Sequence, residues 1–131
     1  VIRRAERDGP VLLLLAGVHG DEINGIEITR RVLEHVEPRT LRGTLVAVPI
    51  VNVFGFINES RYLPDRRDLN RFFPGSSSGS LTSRVAHTLF QEIIKQADFG
   101  IDLHTAAEGR TNFPNIRGDL RDPGVWRLAR A

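Results

Sequence analysis

The sequence contains no cysteine. That excludes disulfides and thiolate metal sites, and it leaves imidazole and carboxylate as the side chains able to hold a metal. Only four histidines are present, so the search for ligands is short. Methionine is also missing, even at position 1, and the last residues read like a helix under way, so the sequence reads as a piece of a longer chain. Lysine occurs once, at Lys95. The arginines form no basic run but are interleaved with acids, as in Asp65-Arg66-Arg67-Asp68, and the net charge is only +2. A nucleic-acid partner is therefore not expected. The longest apolar run, Val11 to Gly17, is far too short to span a bilayer, and no signal-peptide pattern opens the chain. A cytoplasmic location without a membrane partner is the default expectation.

Hydrophobic residues make up 40% and charged residues 26% of 131 residues, ordinary for one globular domain with one core. Val11 to Ala16 suits a strand buried on both faces. Ile23, Ile26, Leu33 and Val36 then recur at helical spacing, with Asp21 or Asn24 as the expected cap and Pro38 as the stop. Thr44 to Pro49 reads as a second strand. From about Val51 to Ser80 the chain shows no sustained periodicity, and a connection of that length usually does something. Leu81, Val85, Leu89, Ile93 and Ala97 step by four, predicting a helix. Phe99, Ile101 and Leu103 alternate with Gly100, Asp102 and His104, predicting a third strand. This order predicts an α/β fold, a parallel or mixed sheet with flanking helices. In such sheets the ligand crevice lies beyond the carboxyl ends of the strands. His19 and Glu22, the long loop and His104 all converge there.

In Gly17-Val18-His19-Gly20-Asp21-Glu22, a histidine and a glutamate three apart stand at a loop-to-helix junction, where both can bend towards one ion. The flanking glycines allow a sharp turn and keep bulk from the metal. Two histidines and one glutamate are a known catalytic zinc set, and His104, at a strand end, supplies the distant third ligand. Taken alone, His19 can equally hydrogen-bond in a turn, with Glu22 answering the helix dipole. Asp102 shares a face with His104 and can orient its imidazole or bind a loop amide. His35 and His87 fall within amphipathic helices and read as surface or boundary residues.

A second constellation runs from Arg61 to Gly75. An arginine fork binds a carboxylate with two parallel hydrogen bonds, and Asn70 adds a donor beside Arg71. Arg61 can polarise a carbonyl or stabilise an oxyanion. Alternatively the arginines pair with Asp65 and Asp68 to hold the loop, a reading that suits Arg66 and Arg67 best.

Gly17-Val18-His19-Gly20-Asp21-Glu22, then Asp68-Leu69-Asn70-Arg71 with Phe-Pro-Gly close behind, then Asp102-Leu103-His104-Thr105, resembles in order the succinylglutamate desuccinylase/aspartoacylase family, a branch of the zinc carboxypeptidase-like hydrolases. The resemblance spans about Val11 to Arg117. It implies one zinc ion per chain on His19, Glu22 and His104, a substrate carboxylate gripped by Asn70 and Arg71, and Arg61 at the scissile carbonyl. It also implies a small-molecule N-acyl amino acid as substrate. Asn52 stands where the family often has Asn-Pro, with Val53 replacing the proline. The family's general-base glutamate lies on a later strand. Glu108 does not match its motif, so residues 1–131 read as the N-terminal part of an incomplete catalytic domain, without any second domain. The oligomeric state is open, a homo-oligomer included.

Two other functions fit the same residues. A carboxypeptidase acting on short peptides would use the same ligands and clamp. A non-catalytic module would use the arginines on an anion and hold no metal. The His-Glu-x-x-His protease signature is absent.

Overall fold

The apolar run becomes the centre of the sheet. In a computed structural model describing residues 1–131, β2 (Val11–Ala16) lies between β3 (Thr44–Val48) and β4 (Phe99–Leu103). It runs parallel to both, with Leu14 opposite Ala47 on one side and Ile101 on the other. A fourth strand, β1 (Ile2–Arg4), pairs antiparallel with β3 and completes the order β1-β3-β2-β4. The sheet is therefore mixed. β1 escapes sequence reading because three residues carry no periodicity, and arginines at Arg3 and Arg4 suit a short, charged edge.

Both faces of β2 are covered, which is why it reads as unbroken apolar sequence rather than alternation. Leu14 packs with Leu45 and Ala47 against Val32 and Leu33 of α1 (Asn24–His35) and against Val36, its C-cap. Leu13 and Leu15 face the other way, onto Leu89 of α3 (Leu81–Glu92). A third cluster, Val18, Leu63, Leu69 and Ala86, lies under the long loop. Burying a leucine contributes about 1.5–3 kcal/mol, so the loop has an anchor of its own in Leu69, which is fully buried.

The helices differ from expectation at their ends. Neither Asp21 nor Asn24 caps α1; its N-cap is Ile23, with no side-chain cap bond. The His19–Glu22 turn feeds straight into the helix through Glu22 N–H to His19 C=O at 3.3 Å, so no separate cap forms. Ile23 points outward, and the buried face runs through Gly25 and Thr29 instead. α3 begins at the Ser80 cap, whose hydroxyl accepts from Ser83 N–H at 3.2 Å. It breaks at Ile93, before the short 3-10 turn Ile94–Gln96, rather than running on to Ala97. The long loop holds a short helix, α2 (Val53–Ile57), and a 3-10 turn at Leu69–Arg71. α4 (Pro123–Arg130) ends the chain, with the Asp122 carboxylate accepting from Gly124 and Val125 N–H. No helix is long and apolar enough to cross a membrane.

Candidate metal centre

β2 ends at Ala16, and Gly17 then takes a left-handed turn at φ +62°. The 3-10-type turn that follows puts residues three apart on one side. His19 Nδ1 and Glu22 Oε1 consequently stand 2.8 Å apart. The missing side chain of Gly20 serves a different neighbour from the one expected. A Cβ there would lie 1.9 Å from the carbonyl carbon of Gly55, so this glycine makes room for α2 rather than for a metal.

β4 delivers His104 from the other side, and its Nδ1 lies 2.9 Å from Glu22 Oε2. The ligand atoms of His19, Glu22 and His104 all fall within 4.8 Å of one another. His19 and Glu22 are buried, and the His104 side chain is 31% exposed. Both far nitrogens meet carboxylates: His19 Nε2 is 2.9 Å from Asp68 Oδ1, and His104 Nε2 is 2.8 Å from Asp102 Oδ2. An Nε2–H donated to a carboxylate leaves the Nδ1 lone pair for a metal and raises its basicity. Two donors on a tetrahedral ion at about 2.0–2.1 Å stand roughly 3.4 Å apart. The donor set therefore suits a small divalent ion, the two Glu22 contacts of 2.8 and 2.9 Å opening slightly to admit it.

The local electrostatics are strong. Burial pushes the Glu22 carboxyl up, but the Thr105 N–H at 2.9 Å and the two imidazoles outweigh it and hold it below the usual carboxylate range. Asp68 behaves the same way, burial being outweighed by His19 and Arg61. His104 is raised, chiefly by its hydrogen bond to Asp102 and against the effect of burial, with Glu22 adding to the rise.

Arg61 enters the same cluster. Its Nη1 donates to Glu22 Oε1 at 3.0 Å, while Nε and Nη2 donate to Asp68 Oδ2 at 3.2 and 3.0 Å. Asn70 and Arg71 sit on the 3-10 turn beside it, both exposed, and neither side chain enters a hydrogen bond or ion pair. The backbone N–H of Asn70 donates to Asp68 Oδ1 at 3.0 Å. The expected pairing of Arg66 and Arg67 with Asp65 and Asp68 does not occur. Asp65 instead accepts from the backbone and hydroxyl of Thr82 at the start of α3, and Arg67 lies over the Phe72 ring. His35 is exposed and His87 half-buried, both away from the cluster.

Asp68 is the residue whose role sequence reasoning reached only in part: it pairs with a loop arginine, Arg61, but it also meets His19 Nε2. One carboxylate joins His19, Arg61 and the Asn70 backbone. The available signal was its position two residues before the Asn70-Arg71 pair. Asp102 orients His104 as the shared strand face suggested. Val53 in place of proline also has an explanation. It is the first residue of α2, where an N–H has no partner within the helix and proline and other residues interchange.

The profile of the succinylglutamate desuccinylase/aspartoacylase catalytic domain matches residues 8–130. The N-alpha-acetyl-L-2,4-diaminobutyric acid deacetylase of Halomonas elongata is 34% identical over 112 residues, covering 85% of this chain and 32% of that protein. The succinylglutamate desuccinylase of Pseudomonas aeruginosa is 30% identical over 147 residues, covering 92% and 43%. The crystal structure of a succinylglutamate desuccinylase/aspartoacylase from Rhodobacter sphaeroides superposes with a TM-score of 0.72 at 36% identity, covering 77% of this chain and 32% of that one. The chain thus spans 32% to 43% of the length of the curated relatives it matches.

Proposed function

The chain belongs to the succinylglutamate desuccinylase/aspartoacylase catalytic-domain family, and we propose that it is the metal-binding, N-terminal part of a zinc-dependent amidohydrolase. The substrate of this reading is an N-acylated amino acid or related small carboxylate, and the reaction removes its acyl group. The observation that carries it is the convergence of His19, Glu22 and His104, with a carboxylate behind each imidazole.

In this reading one zinc ion is held by His19 Nδ1, Glu22 and His104 Nδ1. When bound it supplies Lewis-acid polarisation of the amide carbonyl and makes water more acidic. The protein's own groups do the rest. Asp68 and Asp102 fix the tautomers and orientations of the two imidazoles. Asn70 and Arg71, with free side chains, grip the substrate carboxylate, the arginine through a two-pronged contact. Arg61 keeps two donors on Asp68 and directs Nη1 at the carbonyl oxygen, where negative charge grows in the transition state. No residue of the chain is assigned the general base. Glu108 is exposed, and its backbone N–H is 3.4 Å from Asp21 Oδ2; this segment places no carboxylate against the cluster. The 131-residue chain by itself should therefore bind zinc and turn over N-acyl amino acids very slowly.

Elemental analysis of the purified chain and of His104→Ala tests this reading. About one zinc per chain, lost in the variant, supports it. A folded chain that takes up no zinc after reconstitution refutes it.

A further inference from the structure

We propose that Asn52 is a positioning residue that aims Arg61 at the metal centre. The inference rests on the role just given to Arg61, but its geometry stands independently of it. Asn52 is 1% exposed, and each of its polar groups has a partner. Its backbone N–H donates to Gly17 C=O at 2.8 Å, two residues before His19. Its side-chain Oδ1 accepts from Gly55 N–H at 2.8 Å, capping α2. Its Nδ2 donates to the backbone carbonyl of Arg61 at 3.4 Å.

The loop between these two residues is closed on itself and on the metal turn. Ser60 N–H donates to Gly55 C=O at 2.8 Å, and Ser60 C=O accepts from Gly20 N–H at 3.1 Å. Arg61 thus leaves a segment whose preceding residue is fixed to Gly20 and whose own carbonyl is held by Asn52. From that base its side chain reaches Glu22 and Asp68 with three donors. A carboxamide presents an acceptor to the helix N–H and a donor to the carbonyl from two separate atoms of one short side chain, which a hydroxyl cannot do. Aspartate would set a second acceptor against the Arg61 carbonyl. Serine would keep the cap and lose the reach, because both rank with asparagine as N-caps.

That difference separates the two jobs experimentally. Asn52→Ser keeps the cap of α2 and releases Arg61. Asn58→Ala removes the other side-chain bond of α2, Asn58 Nδ2 to Phe54 C=O at 2.8 Å, and leaves Arg61 alone. The readout is solvent exchange of the Arg61 Nε–H by NMR on the full 131-residue chain, its signal assigned through Arg61→Gln. We expect exchange to quicken about tenfold in Asn52→Ser and to change less than about twofold in Asn58→Ala, as befits loss of one intramolecular hydrogen bond. Where Asn52→Ser fails to fold, Asn52→Asp, which keeps volume and cap, carries the same expectation.

Equal exchange in the two variants, or an unchanged Arg61 signal in a folded Asn52 variant, overturns the proposal. Loss of fold in both Asn52 variants overturns it too, since Asn52 would then hold the whole loop. Zinc content measured on the same samples tests the metal reading separately. A chain that binds no zinc yet shows the expected exchange pattern would refute the proposed function and keep this inference.

Discussion

Replacing Asp68 by asparagine tests whether one carboxylate couples His19, a proposed metal ligand, to the residues proposed to face the substrate. The substitution preserves volume and one acceptor. If the amide oxygen stays towards His19, it still serves the Asn70 N–H, and the new NH2 group faces the Arg61 guanidinium. Two charge-assisted bonds, at 3.2 and 3.0 Å, become a donor-against-donor contact. Such bonds contribute about 1.5–3 kcal/mol each. The side chains of Arg61 and Asp68 are 28% and 18% exposed, so solvent screening reduces the combined loss to about 2 kcal/mol. For a domain of this size that lowers Tm by roughly 8 °C.

The effect on metal should be of similar size and separately measurable. His19 Nε2 then donates to a neutral oxygen instead of a carboxylate, and the imidazole becomes a weaker ligand. Loss of such an outer partner typically costs 10–100-fold in metal affinity, about 1.4–2.7 kcal/mol. Competition with a chromophoric chelator measures it, alongside thermal unfolding of the metal-free chain. Asp65→Asn is the control: it loses one of the two acceptors for Thr82 at the start of α3 and should lose stability without losing zinc. A folded Asp68→Asn chain that binds zinc within about threefold of the parent would refute the coupling.

How much of this was legible depended on whether a residue's role is set locally or by distant chain. The strand Val11–Ala16 and the spacing of His19 and Glu22 are local patterns, and both were readable. His104 was found because its strand ends where the first strand ends, a consequence of parallel topology rather than of its neighbours. Asp68 was read only in part: an acid among arginines looks like their counterion, which it is for Arg61 seven residues away, but its second partner, His19, lies 49 residues away. The cap of α1 was misread because the His19–Glu22 turn supplies the helix start, making a cap unnecessary. α2 was missed because Val53-Phe54-Gly55-Phe56-Ile57 has too few residues to show a period. It forms because Asn52 caps it and Gly20 leaves room for its backbone.

Three further perturbations follow from the same geometry. Gly20→Ala places a Cβ 1.9 Å from Gly55 and 2.2 Å from the Phe56 nitrogen, so circular dichroism and zinc titration should show α2 displaced and the site lost together, at a cost above about 3 kcal/mol. Arg71→Ala removes an exposed, unpaired side chain; zinc affinity should hold while calorimetric binding of an N-acyl amino acid weakens about tenfold or more, and unchanged binding would displace Arg71 from the clamp. The last concerns pH. The His104 imidazole is raised above 6.5 by Asp102, against burial and with help from Glu22. Its stabilisation of the metal-free chain is therefore complete below that value and is lost as pH rises through the raised one. Glu22 and Asp68, held below 4.5 and 3.8, stay ionised throughout that interval and do not contribute to the change. Zinc requires the His104 Nδ1 lone pair, so its affinity climbs as the same proton leaves, by up to about tenfold per pH unit. The two trends run in opposite directions. The gap in Tm between zinc-loaded and metal-free chain should widen from about pH 6 to about pH 8. A gap that stays constant or narrows would mean that the proton on His104 and the metal do not compete for one nitrogen.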